Sequence, residues 1–152
     1  MQDAAIIGAG PAGWAAAAAL RARGLTVTLV APDPEAGFVN GYGVWVDDLE
    51  GAEVGPEVFL HTWPAVRVHV DATDDRRLAR PYARIDNRAL ASRLRERARG
   101  ATLVAGKAAE VRPDAADGLE VRLEGGQTLA ARVVVDASGH ESRLIRQEPG
   151  PE

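Results

Sequence analysis

Three glycines near the amino terminus, Gly8, Gly10 and Gly13, have the spacing of a phosphate cradle. They stand between a short apolar run, Ala4 to Ile7, and an alanine-rich stretch, Trp14 to Arg23, that Gly24 closes. The run reads as a strand covered on both faces and the stretch as a helix. In that setting Gly8 permits the turn out of the strand, Gly10 leaves room for a pyrophosphate at the backbone, and Gly13 lets helix and strand pack closely. Pro11 suits the first helical turn, and the free N–H groups there, with Ala12 among them, face the negative charge. The chemistry implied is dinucleotide binding. An acid normally ends the second strand to hold the ribose hydroxyls. Here Ala31 stands at that place and Asp33 follows. Either Asp33 reaches back, or backbone and water hold the ribose and Asp33 is only a turn residue, the preferred reading.

Other reactive side chains are few. Asp47, Asp48 and Glu50 cluster behind Asn40-Gly41-Tyr42-Gly43-Val44-Trp45, and Asp47 and Glu50 are the candidates for proton transfer. A solvated acidic face is the alternative, preferred for Asp48. Tyr42 and Trp45 suit an apolar or cationic ligand as well as they suit core packing. His61, His69 and His140 lack metal-ligand spacing, so no metal site is expected. Ser138 lies outside any Gly-x-Ser-x-Gly elbow and reads as a turn or cofactor contact. With no cysteine in 152 residues, thiolate chemistry and disulfides are excluded. A net charge of −4 without a basic tract argues against nucleic acid as the partner. The longest apolar stretch, Trp14 to Leu20, is too short to span a bilayer, and a cytoplasmic location is expected.

The elements that must position these residues follow from pattern. Leu25 to Val30 reads as the second strand, ended by Pro32 and Pro34. Residues 35–64 show no lasting period and read as a long functional loop. Ala65 to Val70 alternates as a strand, and Asp71 to Arg80 reads as a charged turn or loop. Asp86 caps a helix carrying Leu90, Ala91, Leu94 and Ala98, which Gly100 ends. Thr102 to Ala105 is a short strand. Leu119 to Leu123 alternates and turns at Gly125-Gly126 into Thr128 to Ala130. Val133 to Val135 reads as a buried parallel strand running into Asp136-Ala137-Ser138-Gly139, a strand end that favours FAD over NAD(P). Pro149 to Glu152 reads as a frayed end. The expected fold is α/β: a doubly wound parallel sheet, Rossmann-like, with a small antiparallel β-meander before the last parallel strand. Residues 1–152 would form one dinucleotide-binding domain.

Three blocks carry a more specific likeness. Phe38 to Glu50 resembles the signature that follows the dinucleotide motif in lycopene cyclases of the plant and cyanobacterial type. Arg80-Pro81-Tyr82-Ala83-Arg84-Ile85 is similar to a second block of that family, and Val133 to Gly139 to a third. The resemblance implies an isomerase that binds FAD, works with it reduced by a donor such as NAD(P)H, and cyclises the end of a linear carotenoid after protonation, with no net redox change. It implies peripheral membrane contact, because the substrate lives in the bilayer. It places Gly8, Gly10, Pro11, Ala12 and Gly13 at the FAD pyrophosphate, Ala31 at the second strand's end, and Ala137 and Gly139 beside the cofactor. Asn40, Tyr42 and Trp45 would lie near flavin or carotenoid. Many related flavoproteins carry an Arg where this chain has Asn87, flanked by Arg84 and Arg88. Family members continue well beyond the third block, so the chain is expected to be the amino-terminal portion of such an enzyme. The alternatives are a hydroxylase or prenyl-chain reductase of the same fold, or a nucleotide-binding fragment without chemistry of its own.

Overall fold

The computed structural model describes residues 1–52, 54–69, 75–114, 117–140, 142 and 144. In chain order the elements are β1 (Gln2–Ile7), α1 (Pro11–Ala22), β2 (Val27–Ala31), β3 (Gly43–Trp45), β4 (Phe59–Trp63), β5 (Val66–His69), β6 (Asp75–Leu78), β7 (Tyr82–Ile85), α2 (Asn87–Arg97), β8 (Thr102–Ala105), β9 (Ala108–Asp114), β10 (Gly118–Leu123) and β11 (Thr128–Asp136). Single 3-10 turns, Val46–Leu49 and Pro56–Val58, precede and follow the Gly51 bend. The chain divides into two compact units, one of Met1–Ala36 with Leu94–Glu152 and one of Gly37–Arg93.

The first unit holds a six-stranded sheet in the order β8-β2-β1-β11-β10-β9. The pairs β8–β2, β2–β1 and β1–β11 are parallel, whereas β11–β10 and β10–β9 are antiparallel. The expected α/β, Rossmann-like fold with a mostly parallel central sheet is therefore present. Continuous apolar runs place Ile6 and Leu29 at 0% exposure in its centre. α1 packs on β1 and β2 and buries Trp14, Ala17 and Ala18. A cluster of Ala5, Ile7, Val30, Val121, Leu123 and Ala131 forms a second part of the core, joined by Val104, Leu129 and Val134. Pro11 opens α1, and Gly24, with φ +77°, ends it. Arg21 secures that end by donating from Nη1 to Leu25 O at 2.8 Å and from Nε to Arg99 O at 3.3 Å.

Three details of this unit differ from expectation. Val133 to Val135, read as buried, run parallel to β1 as expected, but Val133 is 54% exposed and Val134 and Val135 are half-buried, because no helix among the described residues packs on that part of β11. Thr128–Ala130 and Val133–Val135 are one nine-residue strand, β11, which pairs with β10 on one side and β1 on the other. The meander is thus continuous with the main sheet. It also includes β9, a strand not read from the sequence, whose Pro113 is tolerated because β9 is the sheet edge.

The second unit departs further. Residues 35–64 are not one loop: they contain β3 and β4, which flank β7 in an antiparallel sheet of order β3-β7-β4. Asp75–Leu78 is not turn but strand β6, paired with β5 through Val66↔Leu78 and His69↔Asp75. Val70 and residues 71–74, the remainder of those two readings, lie outside the described residues, as does Pro149 to Glu152. Val58, Ala83 and Ile85 are buried. Asp86 caps α2 as expected: its Oδ1 accepts the Arg88 and Ala89 N–H groups at 2.9 and 3.1 Å.

Burial separates two leucines that share a strand pair, Leu29↔Leu103. Leu29 is fully buried and Leu103 is 38% exposed. Leu29→Ala should cost about 2–5 kcal/mol in urea denaturation and Leu103→Ala under about 1 kcal/mol. Equal costs would contradict the packing described for this sheet.

Candidate functional site

The four parallel strands β1, β2, β8 and β11 end on one edge of the sheet, and the chain leaves β1 with β2 on one side and β11 on the other. Such a reversal of strand order opens a crevice at the carboxyl ends, where doubly wound sheets bind ligands. The turn after β1 occupies it. Gly8 has φ +112°, donates its N–H to Val30 O at 2.8 Å, and has no room for a side chain: a Cβ would stand 2.3 Å from Ala137 O. A Cβ on Gly13 would stand 1.9 Å from Gly8 O. Gly10 is different. A Cβ there would meet nothing within 4 Å. Two glycines are therefore required by packing, and the third faces open space.

Gly10 is also the N-cap of α1, with no side-chain cap and no acid in the first turn. The Trp14 N–H closes onto Gly10 O at 3.0 Å. The amides of Ala12 and Gly13 lie in that first turn, where helix geometry provides no partner, and Pro11 has none to offer. This positive, uncapped end with an unobstructed residue before it suits a dianionic pyrophosphate.

Neighbouring strand ends complete the edge. Ala31 is buried, pairs with Ala105, and accepts the Gly106 N–H at 2.8 Å. It offers a methyl group and a carbonyl where a carboxylate would hold ribose. Asp33 does not compensate through Oδ1, which takes the Glu35 N–H at 3.1 Å within its own turn. Ala137 donates its N–H to Ile7 O at 2.8 Å, and Gly139 has φ +96°. Just before them Asp136 organises the turn: its Oδ1 accepts the Ser138 N–H at 3.0 Å and the Ser138 hydroxyl at 2.6 Å, and the Ser142 hydroxyl donates to Oδ2. Burial pushes the Asp136 carboxyl up, but the serine hydrogen bonds outweigh it and leave it below the usual range. The Ser138 hydroxyl is thus committed to a carboxylate and serves the turn.

The second unit gathers the residues of the Phe38–Glu50 segment. Asn87 Nδ2 donates to Phe38 O and Asn40 O, both at 2.8 Å, and so fixes the loop that carries Asn40. The position that carries Arg in many flavoproteins is here a loop fastener. Tyr42 meets Phe38 edge-on with centroids 6.4 Å apart. Trp45 meets Tyr82 edge-on at 5.1 Å, and the Arg80 guanidinium lies over the Trp45 ring at 4.8 Å. Arg80 Nε donates to both Asp47 oxygens at 2.8 Å, and its Nη2 donates to Asp48. Hydrogen bonding by Arg80 holds the Asp47 carboxyl below its usual range, while Asp47 chiefly pushes Arg80 up. At neutral pH Asp47 is a bridged carboxylate. Glu50 is exposed and donates its N–H to Asp47 O at 3.1 Å.

Sequence reading named neither Arg80, Tyr82 nor Trp63 as site residues. Tyr82 meets Trp45 and Trp63 meets Tyr82 through strand pairing, Arg80 reaches Trp45 from just before β7, and the pairing of β3 and β4 with β7 is not visible in the local pattern. His61 and His69 stay apart: His61 meets Trp63 edge-on at 4.5 Å, and His69 lies 3.8 Å from Asp75. No metal-binding group occurs among the described residues. No helix among them is long and apolar enough to cross a membrane.

A family model described as lycopene cyclase protein matches residues 3–150. The chain belongs to this family. It is 30% identical over 148 residues to the lycopene beta cyclase of Capsicum annuum, covering 96% of this chain and 29% of that protein. It is 40% identical over 138 residues to an uncharacterized carotenoid cyclase of Deinococcus radiodurans, covering 91% of this chain and 32% of the relative. The chain thus spans about a third or less of these relatives' lengths. Among solved structures, 2-methyl-3-hydroxypyridine-5-carboxylic acid oxygenase, in its C294A mutant, superposes with a TM-score of 0.75 at 25% identity, over 95% of this chain and 41% of the other. The cyclase family member and the oxygenase therefore share this fold. The family model runs through the glycine cradle, the Trp45 segment and the β11 end alike.

The Asp47–Arg80 bridge has a pH signature. A depressed folded pKa adds stability that is present in full above the unfolded value near 3.9 and is lost as pH falls through the folded value. Wild type should be more stable than Asp47→Asn at pH 7, with the gap closing below about pH 4. Thermal melts of both proteins from pH 7 to pH 2 read it, and a gap constant over that range would remove the bridge from the stability of this unit.

Proposed function

We propose that this chain supplies the FAD-binding portion of a lycopene cyclase-like flavoenzyme. The single observation that carries the reading is the cradle of a family member: Gly8 and Gly13 have no space for a methyl group, whereas Gly10 opens onto space at an uncapped helix end. Gly8, Gly10, Pro11, Ala12 and Gly13 would hold the pyrophosphate. Ala31 would border the adenosine ribose through its carbonyl and bound water, and Ala137 and Gly139 would border the flavin side. When bound and reduced, with NAD(P)H as donor, FAD would supply negative charge beside a carotenoid end group that gains positive charge on protonation. The end ring then closes and a proton leaves, so the reaction is an isomerisation with no net redox change.

The chain's own residues do three things in this reading. The first turn of α1 binds and orients an anion. Asp136 and its serines hold the β11 turn at the crevice. The Trp45 segment, with Asn40 and Tyr42, would lie near flavin or carotenoid, as the family resemblance implies. Asp47 would act there as a fixed negative charge, and Glu50 remains an exposed carboxyl. A carotenoid substrate is supported by the names of the cyclase relatives. Such a substrate brings with it a peripheral contact with a membrane from the cytoplasmic side.

Purified protein titrated with FAD should develop flavin absorbance and quench flavin fluorescence. Gly10→Ala should fold normally, since its methyl meets nothing, and should bind FAD at least tenfold more weakly. Protein that takes up NAD but not FAD would overturn the cofactor. For the reaction, the chain replaces the matching segment of a lycopene beta cyclase in lycopene-accumulating cells, and carotenoids are resolved by chromatography. Ringed products are expected. Hydroxylated or hydrogenated lycopene without rings would favour the hydroxylase or reductase chemistry that shares this fold.

A further inference from the structure

The three-stranded sheet of the second unit has two unlike faces. Ala83 and Ile85 of β7 are buried on one. Cross-strand partners share a face, and the pairings Trp45↔Tyr82 and Tyr82↔Trp63 put three aromatic rings on the other, in a single rung across β3, β7 and β4. Their ring centroids are 5.1 Å apart for Trp45–Tyr82 and 6.5 Å for Tyr82–Trp63. Two strand spacings make the row about 10 Å long. Trp63 is 42% exposed, so the row is not the core of this sheet.

The row is also narrow. The next rung is Gly43, Arg84 and His61, with Arg84 and His61 exposed. Gly43 is there because the Tyr82 ring leans over it: a Cβ on Gly43 would stand 2.1 Å from the Tyr82 hydroxyl. An aromatic row with the Arg84 guanidinium on the rung beside its centre, and only the His61 ring continuing it at the Trp63 end, matches a rod and not the broad face of a protein or a bilayer. At the Trp45 end Arg80 lies over the indole and is bonded to both Asp47 and Asp48. One cation between two carboxylates leaves a surplus of one negative charge at that end. The occupant therefore has an extended apolar body of flat, polarisable character and an end that tolerates or gains positive charge.

We infer that Trp45, Tyr82 and Trp63 form a binding strip for a conjugated polyene chain, laid across the strands with one end at the Arg80–Asp47–Asp48 cluster. This inference rests on the carotenoid reading above and extends it to residues outside the Phe38–Glu50 segment. All-trans-retinol, a neutral conjugated polyene, serves as probe in detergent-solubilised form, with its own fluorescence as the readout. Phytanol, a saturated alcohol of similar length, serves as competitor. Trp63→Leu and Tyr82→Leu keep the apolar bulk and remove the ring. Each should weaken retinol binding about fivefold, the scale of one aromatic contact. Trp63→Phe should bind as wild type does, Leu60→Ala, an exposed change on the same strand, should leave affinity unchanged, and phytanol should not compete. Circular dichroism and urea midpoints confirm that each variant is folded.

Retinol bound equally by wild type and both leucine variants overturns the strip. So does an absence of binding to wild type, and so does phytanol competing as well as retinol, which would make the row a general apolar patch. The carotenoid reading fails separately, in the chromatography of ringed products. Rings formed without retinol binding at the row reject the strip alone.

Discussion

Everything at the cofactor edge depends on one close approach, the passage of the Gly8–Gly13 turn beneath the end of β11. Gly8 must clear Ala137 O and Gly13 must clear Gly8 O, at separations that exclude a methyl group in both places. That clearance lets β1, α1 and β11 meet at the point where strand order reverses. Hydrogen bonds from Gly8 to Val30 and from Ala137 to Ile7 then tie the turn to both neighbours of β1. The helix end, its open Gly10 and the β11 turn are consequences of this one contact. An anion placed there would meet amides whose positions are already fixed, so little ordering remains to oppose binding.

The second unit is held by a different device. Arg80 joins Asp47, Asp48 and Trp45, and Asn87 joins Phe38 and Asn40. Surface ion pairs add little stability singly. Here the geometry matters more than the energy, because one guanidinium sets the side chains of a 3-10 turn against the strand that follows it. The sheet β3-β7-β4 is built from strands of three to five residues. Strands so short gain stability from the three-stranded ladder and its buried face, Ala83 and Ile85, and side chains such as Arg80 and Asn87 fix the segments that flank it.

How much of this was legible in the sequence differs between the units for a physical reason. β1 and β2 are covered on both faces and β11 is paired along both edges, so their apolar runs announce them even though Val133 is exposed, and the spacing of Gly8, Gly10 and Gly13 encodes a backbone requirement that any reader of sequence can use. Asp86 as a cap and Gly24 and Gly100 as stops were equally visible, because each acts on its immediate neighbours. β6 reads Asp-Arg-Arg-Leu, exposed throughout, and carries no period to detect. β3 is three residues beginning at a glycine, and β7 sits between Pro81 and Asp86 with only Ala83 and Ile85 buried. Resemblance marked the Trp45 and Tyr82 blocks as related, yet their adjacency is a fact of strand register. Trp63 belongs with them only through pairing with Tyr82 and carries no motif at all.

The electrostatics bear on which role the carboxylates can play in the proposed cyclisation. A general acid at neutral pH needs its pKa raised toward the working pH. Asp47 is moved the other way by Arg80, and Asp136 ends below its usual range once its serine hydrogen bonds outweigh burial. Both are acceptors, each already saturated by donors that stabilise the charged form. Carboxylates so arranged are poor proton donors and good fixed negative charges. In the proposed reading Asp47 would favour a cation once it has formed, at the end of an aromatic row whose ring faces favour the same charge, while Asp136 serves its own turn. Proton delivery in this reading requires a group in a different environment, one that is desolvated and free of cationic partners, and neither Asp47 nor Asp136 meets that description.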